Sequence, residues 1–237
     1  MHINFNTCKT FRMKKHLLLL LMLTFCAAVQ AQTRVTIFGD SYSTYEGIIP
    51  SHYEPWYAPE DSRYHCKTND VKLVEHTWWH QLINRMGWVL EKNDSWSGST
   101  VGYFGYGSEN YKYRSFNTRV GDLGEPDVIL CLAGTNDSWT NEKVGNYKYA
   151  NWDDNDLWYF RPAMARLMST MKQNYPNARI YFILNTELRE EINESVHTVC
   201  RHYGIPCIDL HDIDKQEGHP SRKGMTAICE QVMQAIK

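Results

Sequence analysis

The sequence lacks an excess of positive charge. Its 237 residues include 25 lysines and arginines against 27 aspartates and glutamates, a formal net charge of −2 at pH 7. No acidic residue precedes Gln32, so the rest of the chain is more acidic than the total suggests. Nucleic acids and anionic membrane surfaces attract basic patches. We therefore expect neither of them as a partner.

The cysteines lack a regular spacing. Of the seven, five follow residue 31, at Cys66, Cys131, Cys200, Cys207 and Cys229. An odd number at irregular intervals is not a disulfide framework, and no pair has the spacing typical of a metal site. We therefore predict no metal and no cofactor. A Cys200–Cys207 bridge in an oxidising compartment is an alternative that we do not favour.

No apolar run is long enough to span a bilayer as a helix, which needs about 20 residues. The longest run covers residues 17–25, follows Lys14 and Lys15, and precedes Val29 and Ala31. A basic start, a short apolar stretch and small residues at the −3 and −1 positions are typical of a secretory signal peptide. We predict cleavage after Ala31 and a secreted or periplasmic protein.

The alternative for the same segment is a lipoprotein anchored through Cys26. Phe25 stands directly before Cys26, where lipoprotein signals usually have a small residue. We therefore rank lipidation second and predict that residues 32–237 form a single domain. The chain has no internal repeats, low-complexity tracts or linker-like stretches.

Apolar periodicity predicts strands alternating with helices. Strands are predicted at 34–38, 88–92, 127–133, 178–184 and 205–210, and helices at 75–86, 156–175, 187–203 and 222–236. The strand at 127–133 is apolar on both faces, as expected of a central parallel strand. This alternation predicts a three-layer α/β/α sandwich, flavodoxin-like, with about five parallel strands.

Two predicted connections are longer than the usual 2–6 residues or so. They cover residues 42–74 and 138–155, and both follow strands at the end where a ligand would bind. Both are rich in aromatic residues: Tyr42, Tyr45, Tyr53, Trp56, Tyr57 and Tyr64 in the first, and Trp139, Tyr147, Tyr149 and Trp152 in the second.

Four short motifs lie where apolar runs give way to small and polar residues. They are Gly39-Asp40-Ser41, Ser97-Gly98-Ser99, Gly134-Thr135-Asn136-Asp137 and Gly218-His219-Pro220-Ser221. The carboxyl ends of parallel strands meet at one edge of a sheet. The motifs together supply a hydroxyl, an imidazole and several hydrogen-bond donors, which is the inventory for acyl transfer to water.

The chemistry assigns a role to each motif. Ser41 is the candidate nucleophile, and His219 is its candidate general base and acid. The backbone N–H groups of Ser41 and Gly98 and the side-chain amide of Asn136 are candidate oxyanion donors. Taken alone, Ser41 could equally cap a turn. The other histidines lack such a motif: His52, His65, His76, His80, His197, His202 and His211.

In these four motifs, and in their order, the chain resembles the SGNH hydrolases, also called GDSL-type esterases. The resemblance covers most of the chain after residue 31. It implies the predicted α/β/α fold and ester hydrolysis through an acyl-enzyme on Ser41. Secreted members of that family often remove acetyl groups from polysaccharides.

The chain departs from the family at one position. The family usually has an aspartate three residues before the histidine, and here that residue is Gln216. A base histidine needs an acceptor on Nδ1 to orient it. Either Asp214 or a backbone carbonyl could serve, whereas Glu217 would point elsewhere in an extended segment.

The aromatic insertions favour a carbohydrate ester as substrate, with Tyr42 and Trp139 as candidate contacts. We therefore predict a carbohydrate O-acetyl esterase. One alternative is a carbohydrate-binding protein that has lost turnover, which the departure at Gln216 keeps open. Another is a thioesterase or lysophospholipase, and acetyl transfer to a sugar would use the same residues. The sequence leaves the oligomeric state open.

Overall fold

The computed structural model describes residues 32–236. The predicted signal peptide and Cys26 lie outside the described residues. Five parallel strands form one sheet in the order β2-β1-β3-β4-β5. They are β1 (Arg34–Gly39), β2 (Val89–Ser95), β3 (Val128–Leu132), β4 (Arg179–Leu184) and β5 (Cys207–Asp209).

The central strand of the sheet is β3, and its neighbour β1 pairs with β3 on one side and with β2 on the other. Every residue of β3 is buried, as its uninterrupted apolar sequence predicts for a strand covered on both faces. Short polar motifs follow the carboxyl ends of β1 and β3, at residues 40–41 and 135–138. The buried sheet therefore presents its chemistry at one edge.

Helices cover both faces of the sheet, so the predicted three-layer α/β/α sandwich with flavodoxin-like strand order is confirmed. On one face α1 (Trp78–Met86) packs against α6 (Arg222–Ala235). On the other α4 (Phe160–Asn174) packs against α5 (Glu190–Tyr203). Two short helices, α2 (Phe116–Arg119) and α3 (Thr135–Trp139), lie in connections that follow β2 and β3.

Three helices begin later than their apolar periodicity predicts. Thr77 and Tyr159 are extended, so a 3₁₀ turn precedes each of α1 and α4 instead of a first α-helical turn. Glu187 has φ 62°, a left-handed conformation that cannot continue into α5. Apolar spacing indicates which residues face the core, but it does not reveal where the backbone leaves helical geometry.

The connection between β2 and β3 is a third long insertion that the sequence did not reveal. It covers residues 96–127 and contains α2, whose Phe116 is fully buried. Arg119 of α2 forms a buried ion pair with Asp94 at the end of β2. Its helix α2 has only four residues, and polar and apolar residues alternate irregularly along the connection. No helical or strand periodicity therefore marks it in the sequence.

A short β-hairpin with two residues in each strand precedes α6. Strand β6 (Lys215–Gln216) pairs antiparallel with β7 (His219–Pro220). Glu217 and Gly218 join them with φ angles of 52° and 72°. Positive φ at both central positions is the signature of the type I′ turn, whose twist matches that of a hairpin. The hairpin therefore holds His219 at a defined position on the rim of the sheet.

Among the described residues, none of the helices combines the length and apolar character needed to cross a membrane.

Gly224 sets how closely α6 approaches the segment that carries the hairpin. A Cβ atom at this position would lie 2.1 Å from the backbone oxygen of Asp214. We predict that Gly224→Ala lowers the free energy of unfolding by about 1–3 kcal/mol, because backbone atoms must move apart. The exposed neighbour Lys223 is the control, and Lys223→Ala should change it by less than about 0.5 kcal/mol. Chemical denaturation of both variants measures the difference, and equal stability would show that α6 shifts freely.

Candidate active site

The first predicted motif lies directly after β1. The chain places β2 on one side of β1 and β3 on the other, so the strand order reverses at β1. Open α/β sheets bind ligands at such a switch point. Asp40 accepts a hydrogen bond from the Tyr42 N–H (3.0 Å) and so caps a 3₁₀ turn that begins at Ser41. The sharp turn brings the Ser41 hydroxyl to the sheet edge.

The hairpin brings His219 to this hydroxyl. The His219 Nε2 atom lies 2.9 Å from Ser41 Oγ, although 178 positions separate the two residues. Both side chains are almost fully buried, at 6% and 2% exposure. A hydroxyl and an imidazole nitrogen at this distance have the geometry of an activated nucleophile and its base.

The other imidazole nitrogen contacts a backbone carbonyl. His219 Nδ1 lies 3.0 Å from the oxygen of Glu217. Because a carbonyl oxygen only accepts, Nδ1 carries the proton and Nε2 presents its lone pair to the Ser41 hydroxyl. The left-handed turn at Glu217 and Gly218 directs this carbonyl back toward the imidazole.

Asp214, the predicted alternative to a backbone carbonyl, is not brought to His219. Its carboxylate accepts a hydrogen bond from the Ser221 hydroxyl, and its backbone oxygen accepts from the Ser221 N–H at 3.0 Å. Ser221 is the N-cap of α6, so Asp214 secures the start of that helix. Gln216 also turns elsewhere and accepts from the Asp70 N–H (2.8 Å). Of the two acceptors that the sequence left open, the structure places the backbone carbonyl against His219 Nδ1.

The surroundings of His219 keep its imidazole neutral. Burial lowers the His219 pKa to about 4, because the imidazolium would lose its water. The Glu217 carbonyl opposes this shift, and the nearby positive charge of Lys215 adds to it. A neutral imidazole persists into mildly acidic solution and remains able to accept a proton.

Trp56 stacks directly on this imidazole. The two rings stack at 3.6 Å between centroids with an interplanar angle of 10°. Sequence reasoning placed Trp56 among the insertion aromatics without a role, and no motif surrounds it. Only the fold of residues 42–74 over the sheet edge reveals the contact.

Tyr42 does not contact solvent and therefore cannot be the substrate contact that we predicted. It is fully buried, and its hydroxyl donates to the Gly218 oxygen at 2.6 Å. Tyr57 likewise donates to the Pro220 oxygen at 3.0 Å. The two tyrosines hold the β6–β7 hairpin through carbonyls on either side of His219, so they position its side chain.

Trp139 lies at the mouth of the site. It is 41% exposed, and its ring centroid is 5.8 Å from that of His219 in an edge-to-face arrangement. A broad aromatic face beside the candidate base is open to solvent. Its role in substrate contact stays a prediction.

The Asn136 amide has a defined orientation. Its Nδ2 donates to the Ser99 oxygen (2.9 Å), and its Oδ1 accepts from the Tyr106 hydroxyl (2.8 Å). The hydroxyl and the carbonyl together determine which way the amide faces. One Nδ2 hydrogen is left over for another acceptor. Tyr106 lies in the β2–β3 connection, where no motif or periodicity in the sequence points to it.

Gly98 lies in a loop held from two sides. The neighbouring Ser97 donates its N–H to the Glu54 oxygen and accepts from Arg114, both at 3.0 Å. Arg114 also forms a 2.9 Å ion pair with Glu54. Gly98 itself has φ 76°, which only glycine adopts without strain. The predicted oxyanion donors therefore lie on well-supported backbone.

The family model of the GDSL-like lipases and acylhydrolases matches residues 33–236. The chain belongs to the GDSL-like lipase/acylhydrolase family. This family consists of ester-hydrolysing enzymes, so the Ser41–His219 contact lies in a protein of that class. No curated protein sequence matches the chain significantly.

Solved structures of GDSL-like proteins resemble this member closely. A GDSL-like lipase from Bacteroides uniformis is 50% identical, with a TM-score of 0.84 over 87% of this chain and 96% of its own. Another from Bacteroides ovatus is 46% identical, with a TM-score of 0.85 over 87% and 99%. An acetyl xylan esterase from Butyrivibrio proteoclasticus is 13% identical, with a TM-score of 0.57 over 88% and 64%, and shows the fold alone.

We predict that the His219 imidazole titrates near pH 4 in the folded protein, whereas Trp56→Ala raises this pKa toward the ordinary value of 6.5. Removal of the indole admits water, which stabilises the imidazolium. NMR titration of the histidine ring protons measures both values. Trp88→Ala is the control, because this partly buried tryptophan directly precedes β2, at the opposite end of the strand from the site. Titration near 6.5 in the unaltered protein would contradict the prediction.

Proposed function

We propose that this GDSL-like protein is a serine esterase that removes acetyl groups from carbohydrate, with Ser41 as nucleophile. The observation that carries the proposal is the 2.9 Å contact between Ser41 Oγ and a His219 Nε2 whose lone pair faces the hydroxyl. A serine hydroxyl is a weak nucleophile until an adjacent base removes its proton. The predicted export of the chain agrees with a polymeric substrate outside the cytoplasm.

In the acylation step, Ser41 Oγ attacks the ester carbonyl carbon while its proton passes to His219 Nε2. The negative charge that develops on the carbonyl oxygen is stabilised by the N–H groups of Ser41 and Gly98 and the free Nδ2 hydrogen of Asn136. The tetrahedral intermediate collapses, and His219 returns the proton to the departing sugar oxygen. The product of this step is an acetyl group bound to Ser41.

In the deacylation step, His219 Nε2 takes a proton from water, and the resulting hydroxide attacks the acetyl carbonyl carbon. The bond to Ser41 Oγ breaks, and the proton on His219 returns to Oγ. Acetic acid leaves and ionises in solution, and the enzyme regains its starting state. Tyr106 supports both steps because its hydroxyl donates to Asn136 Oδ1 and so fixes the orientation of the amide.

The imidazolium that forms in each step is stabilised without a carboxylate. The oxygen of the Glu217 carbonyl lies 3.0 Å from Nδ1, and the ring centroids of Trp56 and His219 are 3.6 Å apart. Cations over tryptophan faces gain about 0.5–2 kcal/mol, which offsets part of the burial cost that lowers the His219 pKa. A Ser–His dyad with these two supports therefore suffices for the proposed chemistry.

The surface around the dyad favours a sugar over a long acyl chain. Trp139 and Tyr106 are 41% and 38% exposed near the site, and such rings pair an apolar face with a polar edge. The first insertion carries charges such as Glu54, Glu60 and Arg63, which an apolar lid would exclude. The acetyl xylan esterase that shares the fold acts on an acetylated polysaccharide, in agreement with this substrate class.

We predict that the protein hydrolyses 4-nitrophenyl acetate and that Ser41→Ala lowers kcat at least ~10³-fold, because the covalent route is lost. Ser51→Ala, at an exposed serine of the same insertion, should retain full activity as the control. Thermal melting of both variants checks folding. Retained turnover in folded Ser41→Ala would refute the nucleophile, and inactivity of all three proteins would favour the carbohydrate-binding alternative.

We predict that activity is highest on acetyl esters and that Trp139→Ala raises KM for acetylated xylooligosaccharides about 10-fold, since one aromatic stacking contact is worth roughly 0.5–1.5 kcal/mol. The same variant should leave kcat on 4-nitrophenyl acetate unchanged, which serves as the control. Acetate release and chain-length profiles on 4-nitrophenyl esters measure the two effects. Activity that rises with acyl length would instead support a lysophospholipase or thioesterase.

A further inference from the structure

The edge of the sheet farthest from β2 brings together three side chains that the esterase site does not use. His197 lies on α5, and Cys207 and Asp209 lie on the edge strand β5. Their ligand atoms all fall within 4.8 Å of one another. We propose that His197, Cys207 and Asp209 form a binding site for a tetrahedral transition-metal ion of the Zn²⁺ class.

Two of the interatomic distances are close to those of a coordination sphere. His197 Nε2 lies 3.2 Å from Asp209 Oδ1, and Cys207 Sγ lies 3.8 Å from the same oxygen. Zinc bonds of about 2.0–2.3 Å at tetrahedral angles separate neighbouring N, O and S ligands by roughly 3.4–3.6 Å. The third pair, His197 Nε2 and Cys207 Sγ, lies within 4.8 Å, so one ion can reach all three atoms once side-chain rotation brings this pair closer.

The backbone arrangement prepares the site. Cys207 and Asp209 are two positions apart on β5, so both side chains leave the same face of the strand. The residue between them, Ile208, is buried in the core on the opposite face and pairs with Ile183 of β4. The imidazole of His197 approaches from α5, which packs over the α4 face of the sheet.

The donor set favours zinc over harder cations. Imidazole nitrogen and thiolate sulfur are ligands of Zn²⁺ and its neighbours, whereas Ca²⁺ and Mg²⁺ take oxygen alone. Three protein ligands leave one tetrahedral position for water.

The surrounding cleft is suited to a cation and its water. Glu187, Glu190 and Glu194 line it together with His197 and Asp209, so its charge is negative. Asn193 also lines the cleft, and its Oδ1 is buried and lacks a hydrogen-bond partner among residues 32–236.

A disulfide with Cys200 is the alternative state of Cys207. Both cysteines are free in the structure. A disulfide between them would consume the sulfur ligand, whereas the metal needs a reduced Cys207. The two states are mutually exclusive, and a variant of Cys200 separates them.

The proposed ion would clamp α5 to β5, a strand of only three residues. The clamp is independent of the proposed ester hydrolysis, so its test does not rely on activity.

The test titrates the full chain, reduced and freed of metal, with Co²⁺ and then with Zn²⁺. We expect one Co²⁺ per chain with the visible absorption of a tetrahedral ion and a thiolate-to-cobalt charge-transfer band, and displacement of Co²⁺ by Zn²⁺. Cys207→Ser should abolish the charge-transfer band. His197→Gln and Asp209→Asn should each weaken Zn²⁺ binding at least ~10-fold.

Two cysteine variants are matched controls. Cys200→Ser removes the disulfide partner and should keep the complete metal signal. Cys66→Ser removes a partly exposed thiol elsewhere in the chain and should also keep it. Circular dichroism of each metal-free variant verifies that it is folded.

Three results would overturn the proposal. They are a charge-transfer band that survives in folded Cys207→Ser, a signal lost in folded Cys200→Ser, and Zn²⁺ binding by the reduced unaltered protein weaker than about 0.1 mM. The proposal is supported if metal binding is lost or weakened in Cys207→Ser, His197→Gln and Asp209→Asn and is retained in both cysteine controls.

Discussion

The hydrogen bond from His219 Nδ1–H to the Glu217 carbonyl is the contact on which the site depends. It determines the imidazole tautomer, and the tautomer determines whether Nε2 can accept the Ser41 proton. The bond exists because a type I′ turn gives Glu217 and Gly218 positive φ. Tyr42 and Tyr57 then secure the turn through the carbonyls of Gly218 and Pro220.

This arrangement changes how the histidine works. An aspartate in a triad both orients the imidazole and neutralises its charge. Here a neutral carbonyl performs the first task, and burial against Trp56 makes the charged state less favourable at rest. The resulting low pKa keeps the base available in mildly acidic solution, while the indole face partly offsets the cost when the imidazolium forms. Orientation and charge stabilisation, usually joined in one carboxylate, are divided between a turn and an aromatic ring.

The oxyanion side depends on the connection between β2 and β3. Tyr106 orients the Asn136 amide, and Arg114 holds the backbone next to Gly98. The motifs supply the groups that would touch a substrate, whereas long irregular loops supply the contacts that keep those groups in place. At the other edge of the sheet, His197 of α5 likewise completes a cluster with Cys207 and Asp209 of β5.

The sequence by itself determined the layers of the fold and the residues of the motifs. Continuous apolar runs identify buried parallel strands, and 3.6-residue spacing identifies the helices, because both patterns reflect local burial. Ser41, Gly98, Asn136 and His219 follow from motifs at strand ends. The tertiary structure alone decided that Glu217 and not Asp214 faces His219, that Tyr42 is buried, and that Trp56 stacks on the imidazole. Each of these depends on a left-handed turn or on contacts between residues far apart in the chain, which leave no periodic signal. The grouping of His197 with Cys207 and Asp209 has the same origin, since a helix and an edge strand meet only when the sheet is complete.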